Sequence, residues 1–211
     1  MDENDKHNFK YLSNYINDGD VLVDIGANAG IYTDYFNKTT NGTGKIYCVE
    51  LHPTTYNTLT KRFGNNPNVL VKNNAVCDKN EEIEFFLGKD SYTNNIIGHD
   101  MNFKPNQTGG KIQGITVDEL LKDEKHIKLI KVDVEGAENL VLRGMKETIK
   151  KVDYIFIECH LNEDWVEIRD LLLNKYKLSC SSIEGDEIIE SNSGRIYQCF
   201  CKTNRDDKNN T

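Results

Sequence analysis

Two glycines four residues apart, Gly26 and Gly30, follow directly on a short apolar run, Val21 to Ile25. The turn reads Asp24-Ile25-Gly26-Ala27-Asn28-Ala29-Gly30. Glycine lets a backbone turn tightly and come close to a ligand. In an open α/β sheet, ligands lie beyond the carboxyl ends of the strands. Glu50 closes the next apolar run, KIYCVEL, about twenty residues on, the spacing at which a carboxylate holds a ribose diol. A dinucleotide fingerprint needs a second glycine where Asn28 stands, because a pyrophosphate lies against that backbone. Asp24 would repel a pyrophosphate but attract the ammonium and sulfonium of S-adenosylmethionine. The turn alone is a weak signal, and a glycine turn kept for tight packing has the same form. With Glu50 and the flanking strands, the pattern favours S-adenosylmethionine over NAD.

A second group of ionisable residues lies further along. Asp133 ends the run IKLIKVDV, Glu135 opens the following turn, and Gly136 frees the backbone there. Carboxylates at the mouth of a sheet are costly unless solvated, hydrogen-bonded or paired with a cation. Asp133 and Glu135 are candidates to take an acceptor's proton, to hold a divalent cation such as Mg²⁺, or to orient the cofactor's amino-acid end. Glu138 is expected instead to cap the next helix, where carboxylates favour the N-terminus. Glu158 and His160 end the run DYIFIECH and alternate onto one face. A neutral imidazole accepts a proton near pH 7, so His160 is a candidate base; a hydrogen-bonded structural histidine is the plainer alternative. His7, His52, His99 and His126 form no ligand cluster.

Alternating strands and helices must place these groups. A short helix is expected over 8–17, then the strand Val21 to Ile25 and a helix from Ile31. The strand Lys45 to Leu51 and the helix TTYNTLTKRF come next. Asn68 to Val76 reads as a third strand, with Glu81 to Leu87 as its hairpin partner. Residues 88–110 have little apolar periodicity and read as an acceptor lid. KIQGITV and IKLIKVDV read as strands, Ala137 to Lys150 as a helix, DYIFIECH as a strand and Glu163 to Tyr176 as a helix. LSCSSI and RIYQCFCK close the chain as an antiparallel pair. This order implies a Rossmann-like, mostly parallel seven-stranded sheet covered on both faces, with an antiparallel C-terminal strand. We read residues 1–204 as one domain and 205–211 as a disordered tail.

Composition bounds the partners. The 211 residues carry a net charge of −8, without the basic footprint of a nucleic-acid binder. No apolar stretch approaches the ~18 residues needed to span a bilayer, and MDENDKHN lacks the apolar core of a signal peptide. A cytoplasmic protein is expected. The six cysteines show no CxxC spacing, and four lie in apolar runs. They read as small buried hydrophobes in a reducing compartment, not as disulfides or zinc ligands.

The sequence resembles the FkbM family of methyltransferases. The resemblance rests on VDIGANAGIYT (23–33), Glu50, NNAVCD (73–78), ITVDELL (115–121), LIKVDVEGAENLVLRGM (129–145) and IFIECH (155–160), in that order. His52 intervenes before Pro53 where the family has proline sooner after the acid. The resemblance implies a class I methyltransferase fold, S-adenosylmethionine as donor, and O-methylation of a small-molecule or glycan acceptor. It adds Leu51, Asn74 and Ala75 to a cofactor set of Asp24, Gly26, Asn28, Gly30, Glu50 and Asp133. The catalytic set is Asp133, Glu135, Glu158 and His160. The alternatives are an NAD-binding oxidoreductase and a non-catalytic nucleotide-binding module.

Overall fold

The computed structural model describes residues 3–86, 95–96, 108–159, 165–182 and 197–204. The strands are Val21–Ile25 (β1), Lys45–Glu50 (β2), Val69–Asn73 (β3), Ala75–Val76 (β4), Glu82–Phe86 (β5), Asn95–Ile96 (β6), Thr108–Ile115 (β7), Ile127–Val132 (β8), Val152–Cys159 (β9), Ser179–Ser182 (β10) and Tyr197–Lys202 (β11). The α-helices are Glu3–Leu12 (α1), Ile31–Thr39 (α2), Pro53–Phe63 (α3), Val117–Leu120 (α4), Glu138–Arg143 (α5) and Trp165–Arg169 (α6). Seven strands form one sheet in the order β10-β11-β9-β8-β1-β2-β3. β11 alone runs against its neighbours β9 and β10. The fold is therefore the expected α/β arrangement.

Period-two alternation splits the core into two layers. Val23, Ile25, Ile130, Val132, Ile155 and Ile157 face α4, α5 and α6, packing on Leu121, Val141, Leu142 and Ile168. Leu22, Ile46, Leu129, Phe156 and Phe200 face α1, α2 and α3, packing on Leu12, Phe36, Leu59 and Phe63. Asp24, Lys131 and Glu158 share the parity of this second face. Their strands are adjacent, and Asp24 is the register partner of Lys131. Polar residues thus sit at the carboxyl end of a face that is otherwise apolar.

Several expected elements differ in extent. The third strand divides: β3 pairs with β2, whereas β4 leaves for a second sheet of order β4-β7-β5-β6. Asn73 makes the corner by donating to the Glu50 and Leu51 carbonyls at 2.8 and 2.9 Å. β5 consequently pairs with β7 and β6, not with β3. The first helix begins earlier, at Glu3, and ends where the Ser13 and Asn14 side chains return to the Lys10 and Tyr11 carbonyls. The helix expected over 137–150 is two pieces, α5 and a 3₁₀ turn Thr148–Lys150. The Asp118 carboxylate captures the Glu147 and Thr148 amides and starts the second piece separately. After Trp165–Arg169 the helix widens to π geometry over Asp170–Lys175. The expectation of six free thiols is also corrected. Cys180 and Cys201 are register partners on β10 and β11 and are disulfide-bonded. Cross-strand alternation places them side by side, which sequence spacing could not show. Cys48, Cys77, Cys159 and Cys199 are free and buried. Most of the lid segment 88–110 and the tail 205–211 lie outside the described residues; within the segment, Asn95–Ile96 and Thr108–Gly110 are in strands.

Gly26 follows β1 with φ 77°. A Cβ there would lie 1.7 Å from the Asp133 carbonyl oxygen. Only glycine lets the turn after β1 pass under the end of β8. Gly26→Ala is therefore expected to destabilise the protein by on the order of 3 kcal/mol, from overpacking together with left-handed strain. Urea denaturation of the purified variant checks this, and unchanged stability would contradict the close approach.

Candidate active site

The turn after β1 spends most of its amides inside the protein. Gly26 and Ala27 both donate to the Val49 carbonyl at 3.0 Å, and Gly30 donates to Ala27 at 2.7 Å. Asn28, at φ 45°, donates its amide to Glu50 Oε2 at 2.8 Å. The His52 amide donates to Glu50 Oε1 at 2.7 Å. Glu50 is therefore a 7% exposed carboxylate fixed by one amide on each oxygen. Burial pushes its pKa above the ordinary value, and the two amides pull against that shift. Each oxygen keeps a further lone pair for a ligand's hydroxyl. The departure at His52 has a local reason. Its Nδ1 accepts the Thr54 amide at 3.1 Å and so caps α3, with Pro53 at the first helical position.

Two cavities open at the carboxyl ends of the strands. The first is lined by Glu50, Leu51, Asn74, Ala75, Val76, Gly26 and Asp133. The second lies on the α1–α2 face. Asp133, Glu135, Glu158, Gln198, Tyr32 and Asp5 contribute to its wall. Gly26, Asn28, Asp133 and Glu135 line both cavities, so the two meet there. An aromatic clasp holds α1 over the second cavity. Phe9 stacks on Tyr35 with centroids 4.0 Å apart, and Asn8 donates to the Tyr32 hydroxyl at 2.9 Å.

Lys131 sits between the turn and the acidic wall. It is 3% exposed and donates to the Gly26 carbonyl at 3.1 Å and to Asp133 Oδ2 at 3.0 Å. Its Nζ is 3.7 Å from Asp24 Oδ1, and it lies 5.1 Å from the Tyr32 ring centroid. Burial works against its charge, but Asp133 and Asp24 outweigh burial and raise its pKa. Asp24 is fully buried, and its Oδ2 accepts the Thr33 hydroxyl at 2.6 Å. Burial raises the Asp24 pKa, opposed by Lys131 and Thr33.

Of the residues expected to bind a cofactor, Gly26, Asn28, Glu50, Leu51, Asn74, Ala75 and Asp133 line the first cavity. Asp24 and Gly30 line neither. Asp24 lies beneath the turn, and Gly30 faces α3, where a Cβ would come within 2.7 Å of Leu59 and Phe63. Of the catalytic candidates, Asp133, Glu135 and Glu158 share the second cavity; His160 lies outside the described residues. Gln198 Nε2 donates to Glu158 Oε2 at 2.8 Å from the facing position on β11. Glu138 accepts the Gly136 amide at 3.0 Å, close to its expected capping role. Among the described residues, no group of three or more His, Cys, Asp or Glu side chains is arranged to hold a metal ion. Sequence reading missed Lys131, Tyr32 and Gln198. A lysine on the buried parity of an apolar strand was a usable signal for Lys131; Tyr32 and Gln198 carried none.

A family model described as the methyltransferase FkbM domain matches residues 24–179. The chain belongs to the FkbM methyltransferase family. The hexuronic acid methyltransferase AglP of Haloferax volcanii is 28% identical over 163 residues, which are 76% of this chain and 64% of AglP. The FkbM methyltransferase structure from Methylobacillus flagellatus superposes with a TM-score of 0.56 at 16% identity, over 89% of this chain and 44% of that one. A SAM-dependent O-methyltransferase from Thermotoga maritima gives 0.53 at 11% identity, over 96% and 66%. This FkbM-family chain thus spans less than two thirds of its curated relative's length. These likenesses agree with the Rossmann-like fold. No helix among the described residues is long and apolar enough to cross a membrane.

Glu50→Ala leaves the Asn28 and His52 amides without their acceptor. The expected cost is about 1–3 kcal/mol. Because the folded state raises the Glu50 pKa above 4.5, it binds that proton more tightly than the unfolded chain does. Stability from Glu50 therefore falls as pH rises through the range just above 4.5. Denaturation of both proteins across pH 4 to 7 should show a shallower slope in Glu50→Ala, where the buried Asp24 still contributes.

Proposed function

We propose that this chain is an S-adenosylmethionine-dependent methyltransferase that methylates a hydroxyl of a sugar, glycan or small metabolite. One observation carries the reading: a cavity with a fixed carboxylate, Glu50, meets a second, acidic cavity at Gly26 and Asp133. The first has the form of a nucleoside site, with Glu50 for the ribose and Leu51, Ala75 and Val76 as apolar lining. Family membership supports the donor, and the hexuronic acid relative supports a sugar acceptor. A dinucleotide fits less well, because the amides of Gly26, Ala27 and Asn28 are already bonded within the protein and leave no phosphate cradle there. We take residues 1–204 as the functional unit and expect it to work in the cytoplasm.

When bound, the donor supplies an electrophilic methyl group; the chain's own work is on the acceptor. An alcohol must lose its proton as the new carbon–oxygen bond forms. The base lies on the wall formed by Asp133 and Glu158, with His160 next along from β9. Glu158 is held in place by Gln198, and Asp133 by Lys131. A positioned base typically contributes 10²–10⁴-fold.

The donor assignment predicts a selective thermal shift. S-adenosylmethionine and S-adenosylhomocysteine at 100 times their Kd should add about 2.7 kcal/mol, while NAD adds nothing. Glu50→Ala should weaken S-adenosylhomocysteine binding by at least about tenfold, and calorimetry finding unchanged affinity would remove Glu50 from the site. For the transfer step, a labelled methyl donor with neutral and acidic glycans identifies the acceptor. On it, Asp133→Asn, Glu158→Gln and His160→Ala should each slow turnover; EDTA separates a side-chain base from a divalent cation, because only the cation mechanism loses activity on chelation and recovers with Mg²⁺. Wild-type turnover in all three variants would refute the acidic wall as the acceptor site.

A further inference from the structure

The second cavity is lopsided in charge. Asp5, Asp133, Glu135 and Glu158 line it, and Lys131 is the only cationic side chain among its described lining residues. That lysine is already engaged. Its Nζ donates to Asp133 at 3.0 Å and lies 3.7 Å from the buried Asp24 carboxylate. Two acids share one ammonium, so the trio has no positive charge left to receive an anion. The other acids converge from separate elements: Asp5 from α1, Glu135 from the turn after β8 and Glu158 from β9. The place of Asp5 is fixed by packing. Asp5 precedes Phe9 by one helical turn and so shares its face. Phe9 meets the Tyr32 ring edge-on at 5.0 Å and stacks on Tyr35, whose hydroxyl donates to the Phe9 carbonyl at 2.7 Å. Burial raises the Tyr32 pKa most, and Asp5 and Glu158 both add to the rise, so both carboxylates lie near this phenol.

We propose that the second cavity selects an acceptor bearing a protonated amine beside the methylated hydroxyl, an amino sugar and not a uronic acid, and that Asp5 on α1 is a specificity-determining residue. The proposal rests on the methyltransferase reading above and narrows its sugar acceptor. Each acid of the wall attracts an ammonium and repels a carboxylate. The same acids keep the amine protonated. A protonated amine has no lone pair to attack with, so the neighbouring hydroxyl is the nucleophile. Its oxygen takes the methyl group as the donor's carbon–sulfur bond breaks, and its proton passes to the acidic wall. Asp5 lines the second cavity but not the first, so its charge bears on the acceptor and not on the nucleoside.

The test uses the whole chain, a labelled methyl donor and matched oligosaccharides. Oligomers of glucosamine and galactosamine carry free amines. Their N-acetylated forms keep the same rings without the charge, and oligomers of glucuronic and galacturonic acid carry carboxylates. Label should enter oxygen in an amine-bearing set, with kcat/KM at least about tenfold above the acetylated and acidic sets. Asp5→Lys should lower the ratio of amine to acetylated turnover about threefold or more, with S-adenosylhomocysteine affinity unchanged within about twofold. That second measurement also shows that the variant is folded. Transfer to the acetylated or acidic sets as fast as to the amines overturns the proposal. So does label on nitrogen, because the amine would then be held neutral. An unchanged ratio in Asp5→Lys overturns it as well. If the wild type binds S-adenosylhomocysteine but methylates no amine-bearing set, this inference fails and the methyltransferase reading stands. If it binds no S-adenosylhomocysteine, that reading fails and this inference with it.

Discussion

The Asp133 carbonyl lies where a side chain on Gly26 would begin. That contact sets the distance between the turn after β1 and the end of β8, and both cavities are built around it. Lys131 bonds to each partner, to the Gly26 carbonyl and to the Asp133 carboxylate. The backbone approach requires glycine, and the charge between the strands requires a lysine with more than one acid around it. Neither condition is met by apolar packing, although everything beneath it is apolar.

A buried ion cluster of this kind is a poor source of stability, since desolvation consumes much of the Coulomb attraction. Its value is in placement. β1 and β8 are parallel neighbours, so Asp24 and Lys131 meet in register. Asp133 follows Val132, and Glu158 follows Ile157, the last registered pair of β8 and β9. Adjacent strands ending at one level therefore deliver three carboxylates and one ammonium to a single edge. Gln198 arrives from the antiparallel strand β11, opposite Glu158. Strand order alone fixes this geometry, and the aromatic clasp between α1 and α2 then covers it.

The other side of the site has a different origin. The Asn73 side chain bonds to the carbonyls of Glu50 and Leu51, and Asn74 bonds to the Gln113 carbonyl at 3.0 Å. The chain leaves the main sheet between these two residues, so Ala75 and Val76 face the first cavity and do not extend β3. The second sheet is thereby tied to the first cavity. Glu50 is held still by amides from either side of it in the chain.

Much of this was legible in the residues themselves. The α/β order, the central strand, the glycine turn, Glu50 and the acids of KVDVEGAE follow from apolar periodicity, backbone freedom and local spacing, which are short-range properties. Seven of the nine expected cofactor residues line one cavity for that reason. Tertiary structure decided whatever depends on partners distant in sequence. Asp24 looked like a ligand contact because its distance from the turn is short along the chain; burial and Lys131 place it beneath the turn instead. The split of 68–76 between two sheets depends on β7, some forty residues later. The Cys180–Cys201 bridge and the Gln198–Glu158 bond depend on the register of an antiparallel pair. A sequence states which groups a strand carries to its end, but only the packed sheet states which neighbouring charge each one meets, because that pairing is set by strand order and not by spacing.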